Sequence, residues 1–181
     1  MSKLNLGILG GGQLGSMLAS AAKKLNVKTI IYCDDENAPA QKFADDFILG
    51  NYSNEKKILE FINKVNIVTY EFENIPFKTL EFINKHKQVL PKPNINQVIQ
   101  NRFSEKNFIN KLGIKTTDYV IIKNLKDLNN NLNHLPGILK TTTLGYDGKG
   151  QFRLNNKNEI DQYKIDFNNE YILEKIINLK K

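Results

Sequence analysis

The sequence is poor in several residues on which recognisable chemistry is usually built. Cys33 is the only cysteine among 181 residues, so no intrachain disulfide can form and no cysteine cage can hold a metal. His86 and His134 are the only histidines, and each stands apart from acidic clusters, which reads as a solvated loop side chain and not a ligand. Arginine is nearly absent: Arg102 and Arg153 stand against 24 lysines. Surfaces that read phosphates and bases favour the two-pronged guanidinium and gather their charge on one face. Here the lysines are spread along the whole chain beside abundant Asn and Ile, and all three residue types have AT-rich codons. The formal charge of +7 is therefore ascribed to codon composition, and no nucleic-acid partner is expected. No apolar stretch approaches the ~20 residues that span a bilayer, and the N-terminus has no signal-peptide pattern. A cytoplasmic location without a membrane partner is expected.

What is present describes an ordinary globular chain, with 40% apolar and 25% charged residues and enough length for one large domain or two small ones. Apolar runs at 4–9, 27–32, 47–49, 67–70 and 89–90 read as short strands. Helical spacing appears at 13–25, 55–64 and 77–86. Strands alternating with helices imply βαβ units and a Rossmann-like, doubly wound parallel sheet. Pro91 and Pro93 close that region, giving a first domain at 1–93. Residues 94–112 read as a helix or helix pair stopped by Gly113, within a helical linker at 94–115. The remainder, 116–181, changes character. Strands at 119–122, 138–140, 151–154 and 171–177, with helices at 125–132 and 159–163, describe a small α+β unit. Its last strand is expected to lie at a sheet edge with partners missing.

Gly10, Gly12 and Gly15 form G-x-G-x-x-G between the first strand and the first helix. Glycines there permit a tight turn and close backbone approach, and the helix start offers N–H groups to an anion. Asp34 follows roughly 20 residues after the last glycine, where a dinucleotide fold keeps its ribose acid. A dinucleotide-binding module is one reading of this motif. Packing alone is the other.

A second glycine loop follows a strand that ends on Lys140: Gly145-Tyr146-Asp147-Gly148-Lys149-Gly150-Gln151. A nucleoside triphosphate needs cations to offset its charge and backbone N–H groups around its oxygens. Lys140 supplies the point charge and the glycines permit the approach. The loop is not a Walker A motif, and a plain hairpin with a glycine turn is the bland alternative.

Four further passages carry a resemblance. Gly10-Gly11-Gly12-Gln13-Leu14-Gly15, Asn37-Ala38-Pro39-Ala40 with Phe43-Ala44-Asp45, Thr69-Tyr70-Glu71-Phe72-Glu73-Asn74, and Tyr171-Ile172-Leu173-Glu174-Lys175-Ile176-Ile177 stand in order along the chain. With Arg102, Lys140 and the 145–151 loop, they resemble the carboxyaminoimidazole ribonucleotide synthetases, ATP-grasp ligases of purine biosynthesis. The formate-dependent glycinamide ribonucleotide transformylases share that layout, but the Tyr-Asp-Gly loop and the Glu-Phe-Glu-Asn run favour the carboxylating family.

The resemblance implies a pre-ATP-grasp domain followed by an ATP-grasp lid subdomain, with the central C-terminal domain missing. It implies ATP-dependent carboxylation of 5-aminoimidazole ribonucleotide by bicarbonate. Lys140 and Arg102 are expected on the ATP phosphates, under a lid formed by Gly145, Tyr146, Asp147, Gly148, Lys149, Gly150 and Gln151. Glu174 and the backbone of Lys175, Ile176 and Ile177 are expected to read adenine. Gln13, Leu14 and Glu73 are expected to face the ribonucleotide, with Tyr146 and Asp147 near the reacting centre; Glu71 is the alternative to Glu73. Mg²⁺ ligands are expected beyond residue 181. The larger members are commonly dimers, so a homodimer is implied for the longer enzyme. The chain is expected to be an N-terminal portion that does not turn over alone.

Overall fold

A computed structural model of the chain describes residues 4–145 and 148–178, in two compact units that divide between residues 97 and 98. The first unit begins with strand β1 (Asn5–Leu9), helix α1 (Gln13–Lys24) and strand β2 (Lys28–Cys33). Strand β3 (Asp46–Leu49), helix α2 (Glu55–Lys64), strand β4 (Ile67–Tyr70) and helix α3 (Phe77–Asn84) follow. The strands are parallel in the order β3-β2-β1-β4. The chain winds outward from β1 through β2 to β3, then returns to the other side of β1 for β4. The winding therefore reverses between β1 and β4, and the carboxyl ends of those two strands flank the crevice where open α/β sheets place ligands.

Helix α2 shows why these residues take this form. Asn54 caps it by accepting the Lys57 N–H, Glu55 lies in its first turn and Lys64 in its last, each favourable to the helix dipole. Ile58, Phe61 and Ile62 fall at helical spacing and are buried against β1 and β2. Helix α1 behaves differently. Its buried stripe is Gly15, Ala19 and Ala22, while Leu14, Met17 and Leu25 are exposed. Small residues let this helix lie close to β2 and to the 3-10 turn at Pro39–Lys42.

Two expected strands change form. Val89 makes only an isolated parallel bridge to Val68, because the chain turns at Pro91 before a ladder can extend. Strand β8 (Tyr171–Lys175) ends before Ile176, and it is not an edge strand. It lies inside an antiparallel sheet of order β5-β8-β6-β7, with β5 (Tyr119–Ile122), β6 (Gly137–Thr141) and β7 (Gln151–Leu154). The expectation of missing partners is corrected by this order: β8 pairs with β5 and β6 on its two sides, which chain order alone does not reveal. Preceding this sheet, the helical region is a pair, α4 (Pro93–Ile99) and α5 (Arg102–Lys111); α6 (Leu125–Asn130) follows β5. The expected helix at 159–163 is a 3-10 segment, Lys157–Gln162.

Each unit has its own core. Tyr32, Phe61, Leu80 and Ile83 are fully buried in the first, and Ile122, Leu128, Leu139 and Leu173 in the second. No helix among the described residues is long and apolar enough to cross a membrane.

Candidate functional site

The antiparallel sheet sorts its side chains by alternation. Leu139 stands opposite Leu173, and both join the core. The next positions point to the other face, so Lys140 opposite Ile172, and Glu174 opposite Ile138 and Tyr119, are neighbours there. Across that face the Lys140 ammonium donates to Glu174 Oε2 at 2.9 Å. Lys106, on α5, reaches Glu174 Oε1 at 3.4 Å and lies 5.6 Å above the Tyr119 ring centroid. Only 11% of the Glu174 side chain is exposed, and 22% and 16% of its two lysines. A carboxylate so buried needs its charge compensated. Two cations against one anion leave the cluster with a surplus positive charge.

Arg102 opens α5 with Asn101 as its cap. Its guanidinium donates to the Thr141 carbonyl at 2.8 Å and also to the Gly145 carbonyl, while its backbone N–H donates to Thr142 at 2.9 Å. Expected on phosphates, this side chain spends N–H groups fastening both ends of the segment that opens the glycine loop. Beyond it, Gly148 and Gly150 take positive φ, +80° and +68°, and the Gly150 carbonyl accepts the Thr141 N–H as β6 and β7 pair. Lys149 and Gln151 are exposed along this loop. Tyr146 and Asp147 lie outside the described residues.

At the end of β8, the N–H groups of Lys175 and Ile176 donate to the carbonyls of Asp118 and Pro136. The Lys175 carbonyl accepts the Thr117 hydroxyl at 2.6 Å. Ile177 is 60% exposed. Lys106 was not singled out from the sequence, although it follows Arg102 by one helical turn, the spacing that places two side chains on one face.

In the first unit, Gln13 and Leu14 are exposed at the start of α1, and Glu73 is exposed in the turn after β4. Glu71 instead turns inward, where its Oε1 accepts the Gly12 N–H at 3.0 Å. The Glu73 backbone is held from behind: the fully buried Asn96 donates to the Glu73 carbonyl at 2.9 Å. Sequence reading passed over Asn96, a polar residue on a short helix. Asp34 is exposed at the end of β2.

Comparison with known proteins bears on both sites. Residues 1–100 match the ribonucleotide synthetase pre-ATP-grasp domain, and residues 107–181 match the ATP-grasp domain. The chain belongs to the ribonucleotide synthetase pre-ATP-grasp family. It is 34% identical over 179 residues to the N5-carboxyaminoimidazole ribonucleotide synthase of Staphylococcus aureus strain COL, covering 97% of this chain and 48% of that protein. It is also 40% identical over 159 residues to the bifunctional purine synthesis protein of Dictyostelium discoideum, covering 87% of this chain and 16% of that protein.

Among solved structures, the Staphylococcus aureus N5-carboxyaminoimidazole synthetase complexed with ADP matches with a TM-score of 0.92 at 33% identity, over 98% of this chain and 49% of that one. An Aspergillus clavatus enzyme in complex with ADP and 5-aminoimidazole ribonucleotide matches with a TM-score of 0.83 at 26% identity, over 96% and 46%. The chain thus spans about half the length of these synthases. The parallel sheet is the pre-ATP-grasp unit and the antiparallel sheet belongs to the ATP-grasp region.

Proposed function

We propose that this chain carries the ATP-binding and ribonucleotide-binding elements of an ATP-dependent ligase of purine biosynthesis, acting in the cytoplasm. The reaction is carboxylation of 5-aminoimidazole ribonucleotide by bicarbonate, with release of ADP and phosphate. The observation that carries this reading is the Lys140–Glu174–Lys106 cluster beside the glycine loop, in a chain whose relatives are N5-carboxyaminoimidazole ribonucleotide synthases. A surplus cation on a half-dry sheet face suits a polyphosphate.

Lys140 and Arg102 contact the ATP phosphates, Arg102 with the N–H groups left over from fastening the first residues of the loop. Residues 145–151 close over the phosphates and exclude the water that would consume a phosphorylated bicarbonate. Tyr146 and Asp147 stand within that loop, near the reacting centre. Glu174 accepts a hydrogen bond from the exocyclic amine of adenine, a donor that guanine replaces with a carbonyl. Since the Lys175 and Ile176 N–H groups are engaged, backbone reading of the base falls to the Ile176 carbonyl and Ile177. Gln13, Leu14 and Glu73 face the ribonucleotide at the reversal point of the parallel sheet. The working division is 1–93, a linker at 94–115, and an ATP-grasp portion from 116, in an enzyme that pairs as a homodimer.

The described residues do not fit Mg²⁺. Among the described residues no group of three or more His, Cys, Asp or Glu side chains could hold a metal, and Glu174 is already shared by two lysines.

Calorimetric titration of the 181-residue chain with ATP tests the reading. Saturable binding is expected, weakened by about tenfold or more in Lys140→Ala, since a charge-assisted contact contributes roughly 1.5–3 kcal/mol. Equal affinity in the variant would remove Lys140 from the site, and no ATP binding at all would overturn the assignment.

A further inference from the structure

Glu73 sits in a turn whose form its own residues leave open. The Ile75 N–H donates to the Phe72 carbonyl at 3.3 Å, which makes a β-turn with Glu73 and Asn74 at its centre. Type I and type II turns differ by rotation of the central peptide, here the one joining Glu73 to Asn74. Type II needs a positive φ at the second central residue, and Asn tolerates that conformation better than other residues with a side chain. The pair Glu-Asn therefore permits both forms. Asn74 is not among the residues of positive φ, so the type II form is not the one adopted.

Asn96 supplies the choice. Its side-chain Nδ2 donates to the Glu73 carbonyl at 2.9 Å, and so holds that oxygen toward the interior. Because a peptide is planar and trans, its N–H points opposite to its C=O. Fixing the Glu73 carbonyl inward thus turns the Asn74 N–H away from Asn96. Among the described residues no backbone carbonyl takes that N–H. Asn96 holds this position at a cost: it is fully buried, and its Oδ1 has no partner among the described residues. A leucine of similar size would leave no such acceptor orphaned.

We propose that Asn96 is a positioning residue that presents the Asn74 N–H as a hydrogen-bond donor to the ribonucleotide, beside the Glu73 carboxylate. The turn then offers a donor and an acceptor side by side, the pair that matches a sugar hydroxyl, which accepts from one and donates to the other. The inference rests on the ribonucleotide reading of Glu73 given above.

The test titrates the ¹⁵N-labelled full chain with 5-aminoimidazole ribonucleotide and follows individual amides. In the unsubstituted chain the Asn74 amide is expected to shift saturably. Asn96→Leu frees the central peptide and is expected to weaken ribonucleotide binding by about tenfold, with ATP affinity unchanged. Asn96→Ala serves if the leucine variant does not fold. Adding Asn74→Ala to Asn96→Leu is expected to restore most of the affinity, since alanine resists the positive φ of the flipped turn. A merely structural role for Asn96 would not be rescued at Asn74. Ribonucleotide binding that leaves the Asn74 amide unmoved would overturn the proposal, as would an Asn96→Leu chain that binds as tightly as the unsubstituted one. Equal losses of ribonucleotide and ATP affinity would also overturn it, marking a general defect of folding. An unsubstituted chain with no response to the ribonucleotide at any amide would instead overturn the ribonucleotide reading itself, and the role of Asn96 with it.

Discussion

Each of the two units places a carboxylate at a carefully packed position near a glycine-rich turn, and they use it in opposite ways. In the parallel sheet, Glu71 accepts one backbone N–H, that of Gly12, at the start of α1. In the antiparallel sheet, Glu174 meets two lysine ammoniums and leaves them with charge to spare. One glycine turn is met by a carboxylate of its own chain, while the other stands beside a cation surplus. Glycine spacing therefore says where backbone can approach something closely; the charge of the nearest side chain decides what that something is. The units also differ in where the carboxylate is rooted. Glu71 follows the last residue of β4, whereas Glu174 sits within β8, paired on both sides.

The strongest way to break this comparison is to remove the central carboxylate of the second unit. Glu174→Ala leaves two largely buried ammoniums uncompensated and should cost about 3–5 kcal/mol, read as lost hydrogen-exchange protection in β5, β6 and β8. A loss below about 1 kcal/mol would mean that water already compensates the lysines, and the contrast with Glu71 would shrink to one of geometry. Phe61→Ala probes the other sheet. This ring is fully buried under β1 and would meet a Cβ on Gly7 at 2.5 Å, so the strand has grown around it. About 3–4 kcal/mol should be lost from β1 and β2, measured by the same exchange experiment. Full retention would show that the parallel sheet draws its stability elsewhere.

The smallest effect sharpens the contrast between buried and surface charge. Lys64 donates to Asp46 at 2.9 Å and holds the Asp46 carboxyl below its usual range, yet both side chains are more than 40% exposed. A depressed carboxyl stabilises the fold above its unfolded value of about 3.9 and loses that contribution as pH falls through the folded value. Asp46→Asn should therefore lower stability at neutral pH by well under about 1 kcal/mol, with the difference vanishing in acid. Urea unfolding at several pH values measures it. A difference that persists under acid conditions would mean the Asp46 side chain acts through packing and not charge.

Much of the fold was legible along the chain because its signals are local. The period of Ile58, Phe61 and Ile62, the cap at Asn54, and the glycines after β1 each declare an element within a few residues. Reading weakened where neighbours in space decide. The apolar residues Leu14 and Met17 mark a helix but not its buried face, which goes to Gly15, Ala19 and Ala22 because β2 approaches too closely for larger groups. Val89 has the chemistry of a strand, but the turn at Pro91 leaves it a single bridge. In the candidate site, Lys140 and the glycine loop stood out by type and spacing, and Glu174 and Arg102 through the resemblance alone; the carbonyls that the Arg102 guanidinium fastens are visible only in the fold. Lys106 and Asn96 went unnoticed, since nothing in a lysine-rich, asparagine-rich sequence distinguishes them until their partners are in place.

The sequence by itself determined the elements, their order and the kinds of group available, because hydrophobic period, capping and glycine act over a few residues. Only the tertiary structure decided which groups meet. Glu71 and Gly12 are 59 residues apart, and Lys140 and Glu174 are 34 apart. Their meeting depends on strand order and register: β4 returning beside β1 and β8 inserting between β5 and β6 bring each carboxylate to its partner.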